Sequence, residues 1–130
     1  MVGIVLVSHS ALLAEGTAEL AGQIGGGTVT IATAGGTDDG RIGTSIDKVA
    51  AAIRRADAGS GVLILPDMGS SVLTVRTLLA DDPDDLPAQL EVADAPFVEG
   101  TVAAVVTAAA GGSLKDVLNA AQEARHARKL

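Results

Sequence analysis

Three short stretches hold most of the chemistry this chain could perform: Ser8-His9-Ser10, Ala34-Gly35-Gly36 and Asp67-Met68-Gly69-Ser70-Ser71. His9 ends the apolar run Val5-Leu6-Val7 and stands just before a renewed hydrophobic pattern at Ala11-Leu12-Leu13. An imidazole at such a strand end has one nitrogen free for a partner and a second able to donate a hydrogen bond. Asp67, after Pro66, is the carboxylate that would hold that second nitrogen, fix the tautomer and offset positive charge on the ring during covalent chemistry. A capped surface histidine and a turn aspartate are the plainer alternatives. Gly35 and Gly36 offer unobstructed amides to a small anion, and Ser8, Ser10, Ser70 and Ser71 add hydroxyl donors.

Other chemistries fit less well. One histidine in this setting and no cysteine make a poor zinc set, and Asp38 and Asp39 read better as turn residues than as ligands. No nucleophile elbow surrounds Ser8 or Ser10. Gly35-Gly36 lacks the lysine of a phosphate loop, and Gly25-Gly26-Gly27 follows a helix rather than a strand, so neither binds a nucleotide by a known fingerprint. The combination suits a phosphorylated histidine better than a deep catalytic pocket, since that needs an exposed nitrogen, a few neutral donors and an acceptor for the opposite N–H. Neutral imidazole is already a nucleophile, so positioning and electrostatics carry the transfer. No cofactor is called for, and the one metal alternative left open is magnesium held by two carboxylates and water.

The elements that must position these residues follow from the hydrophobic pattern. Strands are expected at 3–7, 28–33, 61–65 and, more weakly, 89–93. Between them lie amphipathic helices. The first turns Leu13, Thr17, Leu20 and Ile24 inward. The second opens on a Thr44–Asp47 capping box and buries Ile46, Val49, Ala50 and Ile53. A third, capped by Ser70 or Ser71, carries Val72, Val75 and Leu79. Residues 97–110 form a fourth through Val98, Val102, Val105 and Ala109, and Ser113 with Asp116 opens a fifth with Leu114, Val117, Leu118 and Ala121 inward. Residues 81–87 are a solvated loop.

Repeated strand–loop–helix units predict an α/β, doubly wound domain over residues 1–130, with a parallel sheet covered on both faces. Right-handed crossovers bring the loops after the first three strands to one sheet edge, where ligands of such sheets bind.

Nine Lys and Arg against sixteen Asp and Glu give a net charge of −7, which together with a single aromatic residue, Phe97, argues against nucleic acid. No apolar run is long enough for a membrane span and no signal peptide is evident, so a cytoplasmic protein is expected. His126 reads as a solvated helix-end residue.

Together, "VSHS" at 7–10, "TAGG" at 33–36, "IGTS" at 42–45 and "PDMGSS" at 66–71 resemble the DhaM family, phosphotransferase subunits of phosphoenolpyruvate-dependent dihydroxyacetone kinase in the mannose-type EIIA superfamily. The likeness runs over essentially the whole chain. It implies strand order 2-1-3-4 and a homodimer. It also implies that His9 is phosphorylated through Nε2 by phospho-HPr and passes the group to ADP on DhaL, with DhaK downstream. Asp67 then orients His9, while Ser8, Ser10, Gly35, Gly36, Thr44, Ser70 and Ser71 lie in phosphate-binding loops. The chain is either a single-domain form or one domain of a longer protein. Docking around His9 would use Leu12, Leu13, Met68 and Val72, and the 97–110 helix either joins a dimer interface or packs in the core. A mannose-type EIIA serving a sugar-transport EIIB, and a regulatory phospho-binding module, are the alternative functions.

Overall fold

A computed structural model describes residues 1–130. Four parallel strands, β1 (Gly3–Ser8), β2 (Ile31–Gly35), β3 (Val62–Pro66) and β4 (Leu90–Val92), form one sheet in the order β2-β1-β3-β4, as expected. Five helices surround it: α1 (Ala11–Ile24), α2 (Ile46–Ala56), α3 (Gly69–Asp81), α4 (Phe97–Ala109) and α5 (Leu114–Glu123).

β1 and β3 are buried on both sides because the two central strands carry unbroken apolar runs. Alternation then divides their side chains between two cores. Ile4, Leu6, Leu63 and Leu65 pack with Ala21 of α1, Ala104, Val105 and Ala108 of α4, and Val117 and Ala121 of α5. Val5, Val7, Val62 and Ile64 pack with Val49, Ala52, Ile53 and Ala56 of α2 and Val75 and Leu78 of α3. A parallel strand forms only by such crossovers, so every loop leaving a strand's carboxyl end emerges on the same edge.

The helix faces depart from expectation in an instructive way. α1 buries Ala14, Thr17 and Ala21, and leaves Leu13, Leu20 and Ile24 largely outside. Close approach explains the preference for small residues: a Cβ on Gly25 would lie 2.5 Å from Val105 Cγ1. α4 likewise buries Gly100, Thr101, Ala104, Val105 and Ala108, whereas Val98 and Val106 are exposed. β2 begins later than the sequence pattern suggests and runs on to Gly35. Its outer edge is closed by two cations of α2, since Lys48 Nζ donates to Gly35 O at 3.1 Å and Arg55 Nη2 to Thr33 O at 3.2 Å. Capping those carbonyls removes the template for pairing with another strand. The 81–87 loop contains a short 3₁₀ turn at Pro83–Asp85.

Candidate functional site

Register brings the histidine and the aspartate together. Val7 pairs with Pro66 across β1 and β3, and the ladder extends one step further as Asp67 N–H donates to Val7 O at 2.9 Å. Asp67 therefore lies beside Ser8 and His9, residues 58 or more positions away in the chain. The pair stands where the chain leaving β1 enters α1 on one face of the sheet and the chain leaving β3 enters α3 on the other, the topological switch point of an open α/β sheet.

His9 Nδ1 is 3.0 Å from Asp67 Oδ1 and 3.2 Å from Oδ2. An ionised carboxylate only accepts, so Nδ1 carries the ring proton and Nε2 keeps its lone pair. The carboxylate is itself tightly held. Oδ2 also accepts from the backbone N–H of His9 and the hydroxyl of Ser8, each at 3.0 Å. Oδ1 accepts from the Met68 N–H at 2.8 Å and the Ser71 hydroxyl at 3.0 Å. Burial acts to raise the Asp67 pKa, but donation from the His9 backbone and ring, Ser71 and Ser8 outweighs it and holds the group below 3.8. The aspartate side chain is 6% exposed and that of His9 17%, so the carboxylate is sealed beneath a ring that still reaches solvent.

The remaining expected site residues divide by what they touch. Ser8 and Ser71, expected among the phosphate donors, are fully buried and commit their hydroxyls to Asp67. Gly36, at φ 75°, donates its N–H to Ser8 O at 3.1 Å, so this amide braces β1 instead of facing an anion. Gly35 is a matter of space, as an added Cβ would lie 2.6 Å from Ala11 Cα and 2.8 Å from Ser10 O. Ser10 caps α1, its Oγ accepting from Leu13 N–H at 3.2 Å. Thr44 Oγ1 lies 2.6 Å from Thr74 Oγ1 and ties the loop before α2 to α3. It does not cap α2. Ser45 does, one residue on, accepting from Lys48 N–H at 3.2 Å.

α3 also starts earlier than expected, with Met68 at its cap and Ser71 accepting from Met68 N–H at 3.3 Å. Ser70 is thereby placed in the first turn, where its Oγ lies 2.7 Å from His9 Nε2. Two features escaped the sequence reading. Gly43 N–H donates to His9 O at 2.9 Å, clamping the histidine backbone from the 36–45 loop. Ile42 beside it is 76% exposed and joins Leu12, in the first turn of α1, and Met68 as an open apolar side chain around the site. An exposed Ile next to a glycine in a polar loop was the available signal. Beside Asp67 an open cleft of about 380 Å³ runs between α3 and the end of β4, lined by Met68, Val72, Arg76, Val92 and Asp94. Nowhere do three or more His, Cys, Asp or Glu side chains converge as metal ligands would. No helix is long and apolar enough to cross a membrane.

The family model of the PTS system fructose IIA component, EIIA-man, matches residues 3–118. The phosphoryl donor subunit DhaM of the PEP-dependent dihydroxyacetone kinase of Escherichia coli K12 is 40% identical over 99% of the chain, and the chain spans 28% of that protein's length. The corresponding subunit of Providencia stuartii is 38% identical, with the same shares covered. A shorter relative, the DhaM subunit of dihydroxyacetone kinase 2 of Listeria innocua, is 36% identical over 91% of the chain and 94% of its own length. A crystal structure of EF1359, a protein of unknown function, superposes with a TM-score of 0.83 at 34% identity, covering 94% of this chain and 93% of the other. With a matching sheet order, and a full-length relative at this identity, the chain belongs to the DhaM family of phosphotransferase subunits within the mannose-type EIIA fold.

Proposed function

We propose that this chain carries a phosphoryl group on Nε2 of His9, receives it from phospho-HPr and delivers it to ADP held on DhaL, for phosphorylation of dihydroxyacetone by DhaK. The carrying observation is the polarity of the imidazole: Nδ1 is fixed by a buried carboxylate, while Nε2 meets the hydroxyl of the exposed Ser70 on a ring that still reaches solvent. In the first transfer the Nε2 lone pair attacks phosphorus, the donor's N–P bond breaks, and its electron pair returns to the donor nitrogen. His9 keeps its Nδ1 proton, so the phosphorylated ring acquires cationic character that Asp67 offsets. In the second transfer an oxygen of the terminal phosphate of ADP attacks, and the N–P electron pair returns to Nε2.

The surroundings favour a relay over a store. Among the cations of the adjoining elements, Lys48 is bound to Gly35 O and Arg41 is paired with Asp39. Arg76 lies further along α3 in the cleft beside Asp67, and the group that meets Nε2 itself is the neutral Ser70 hydroxyl. Leu12, Ile42 and Met68 offer a modest apolar surface for transient docking of cytoplasmic partners.

The test is incubation with phosphoenolpyruvate, Enzyme I and HPr. The wild-type chain should acquire acid-labile phosphate and His9→Ala none; labelling retained in His9→Ala would remove this residue from the mechanism. A second reading, a sugar-transport component that feeds an EIIB partner, draws on the fructose IIA description of the matching family model. Presenting the phosphorylated chain separately to DhaL–ADP and to EIIB decides between them by which acceptor takes the label.

A further inference from the structure

The Ser70 hydroxyl stands 2.7 Å from the very atom that the carrier reading makes the nucleophile. Nδ1 already bears the ring proton, so in the neutral ring Nε2 accepts and Ser70 Oγ donates. A lone pair engaged in this way is turned toward the serine, and a phosphorus atom approaching along the same line must displace the hydroxyl. Ser70 is exposed on the first turn of α3, free to rotate about χ1 among its staggered wells. Its neighbour Ser71 has no such freedom, being buried and hydrogen-bonded to Asp67 and Met68.

Resting on the carrier reading, we propose that Ser70 is a two-position catalytic residue, capping the Nε2 lone pair in the unphosphorylated protein and donating to a phosphoryl oxygen once the N–P bond has formed. After transfer Nε2 has no lone pair left to accept, and the phosphoryl oxygens occupy the space toward which the hydroxyl pointed. The same O–H then donates to a dianionic group, and such charge-assisted bonds are roughly twice as strong as neutral ones. Ser70 thus stabilises both states, the phosphorylated one more, and biases the exchange with phospho-HPr toward this chain.

The test uses the full chain with ¹⁵N-labelled histidine as wild type, Ser70→Ala and Ser70→Thr. In Ser70→Ala the Nε2 resonance should move toward that of an uncapped imidazole nitrogen while Nδ1, held by Asp67, stays in place. The equilibrium of phosphoryl exchange with HPr should fall back toward phospho-HPr by about five-fold, and Ser70→Thr should restore both readings. An unmoved Nε2 resonance overturns the cap, and an unmoved exchange equilibrium overturns the second position. A wild-type chain that takes no label overturns the carrier reading itself, an outcome distinct from either.

Discussion

At the scale of single residues the site is a division of labour between two ends of one ring. Asp67 gathers donors from His9, Ser8, Met68 and Ser71, which leaves it ionised and rigid, while the far nitrogen of the imidazole meets only the mobile hydroxyl of Ser70. Asp67→Asn should slow phosphoryl transfer on the order of a hundred-fold in single-turnover measurements, because an amide presents an NH₂ to donors that a carboxylate oxygen accepts. It should also lower stability at neutral pH by about 1–3 kcal/mol, read by urea denaturation. The pH dependence has a definite sign. The folded Asp67 holds its proton less tightly than the ordinary value of 3.8, so its contribution is present above that pH and is lost as pH falls through the lower folded value. The stability gap between wild type and Asp67→Asn should therefore close on acidification below 3.8. A gap that widens there would contradict the hydrogen-bonded carboxylate.

At the scale of elements the site depends on how closely the chain can approach itself. β2 ends on Gly35 directly against the first turn of α1, with no room for a methyl group between them. Gly35→Ala should force α1 outward, lower stability by about 1–3 kcal/mol, and reduce labelling of His9, whose backbone enters that same turn. Thermal denaturation alongside the labelling assay checks both. The strands, the helices and the pairing of His9 with Asp67 were legible from residue types and strand-end positions. The inward face of α1 was legible only at Thr17, whereas that of α4 departs at Val98 alone. Periodicity marks large apolar residues as inward, but at crowded contacts alanine, glycine and threonine pack instead and the larger side chains turn away. The Ser113–Asp116 capping box of α5 forms as expected, but the caps of α2 and α3 differ for a related reason. Thr44, Ser45, Ser70 and Ser71 are chemically similar, and only the placement of neighbouring backbone decides which hydroxyl meets which N–H.

At the scale of the whole molecule, those displaced side chains leave an apolar surface. Leu20 and Ile24 of α1 and Val98 and Val106 of α4 are exposed on adjacent helices covering one face of the sheet. We propose that a second copy of the chain covers this face and leaves the residues around His9 free for its partners. Sedimentation equilibrium should then find a dimer for wild type and a monomer for Val106→Asp, with labelling of His9 retained in the variant. A wild type that sediments as a monomer would refute the pairing.

The sequence by itself determined the fold class, the strand order through family resemblance, and the pairing of a strand-end imidazole with a strand-end carboxylate. Hydrophobic runs, glycine stops and residue chemistry are local properties, and they suffice for those conclusions. Only the tertiary structure decided which serine lies under the aspartate and which one faces Nε2, that Gly36 braces β1, and that Gly43 clamps His9. Those are distances between groups far apart in the chain, set by strand register and helix approach, and they differ by a single residue step that turns one side chain into the core and its neighbour into solvent.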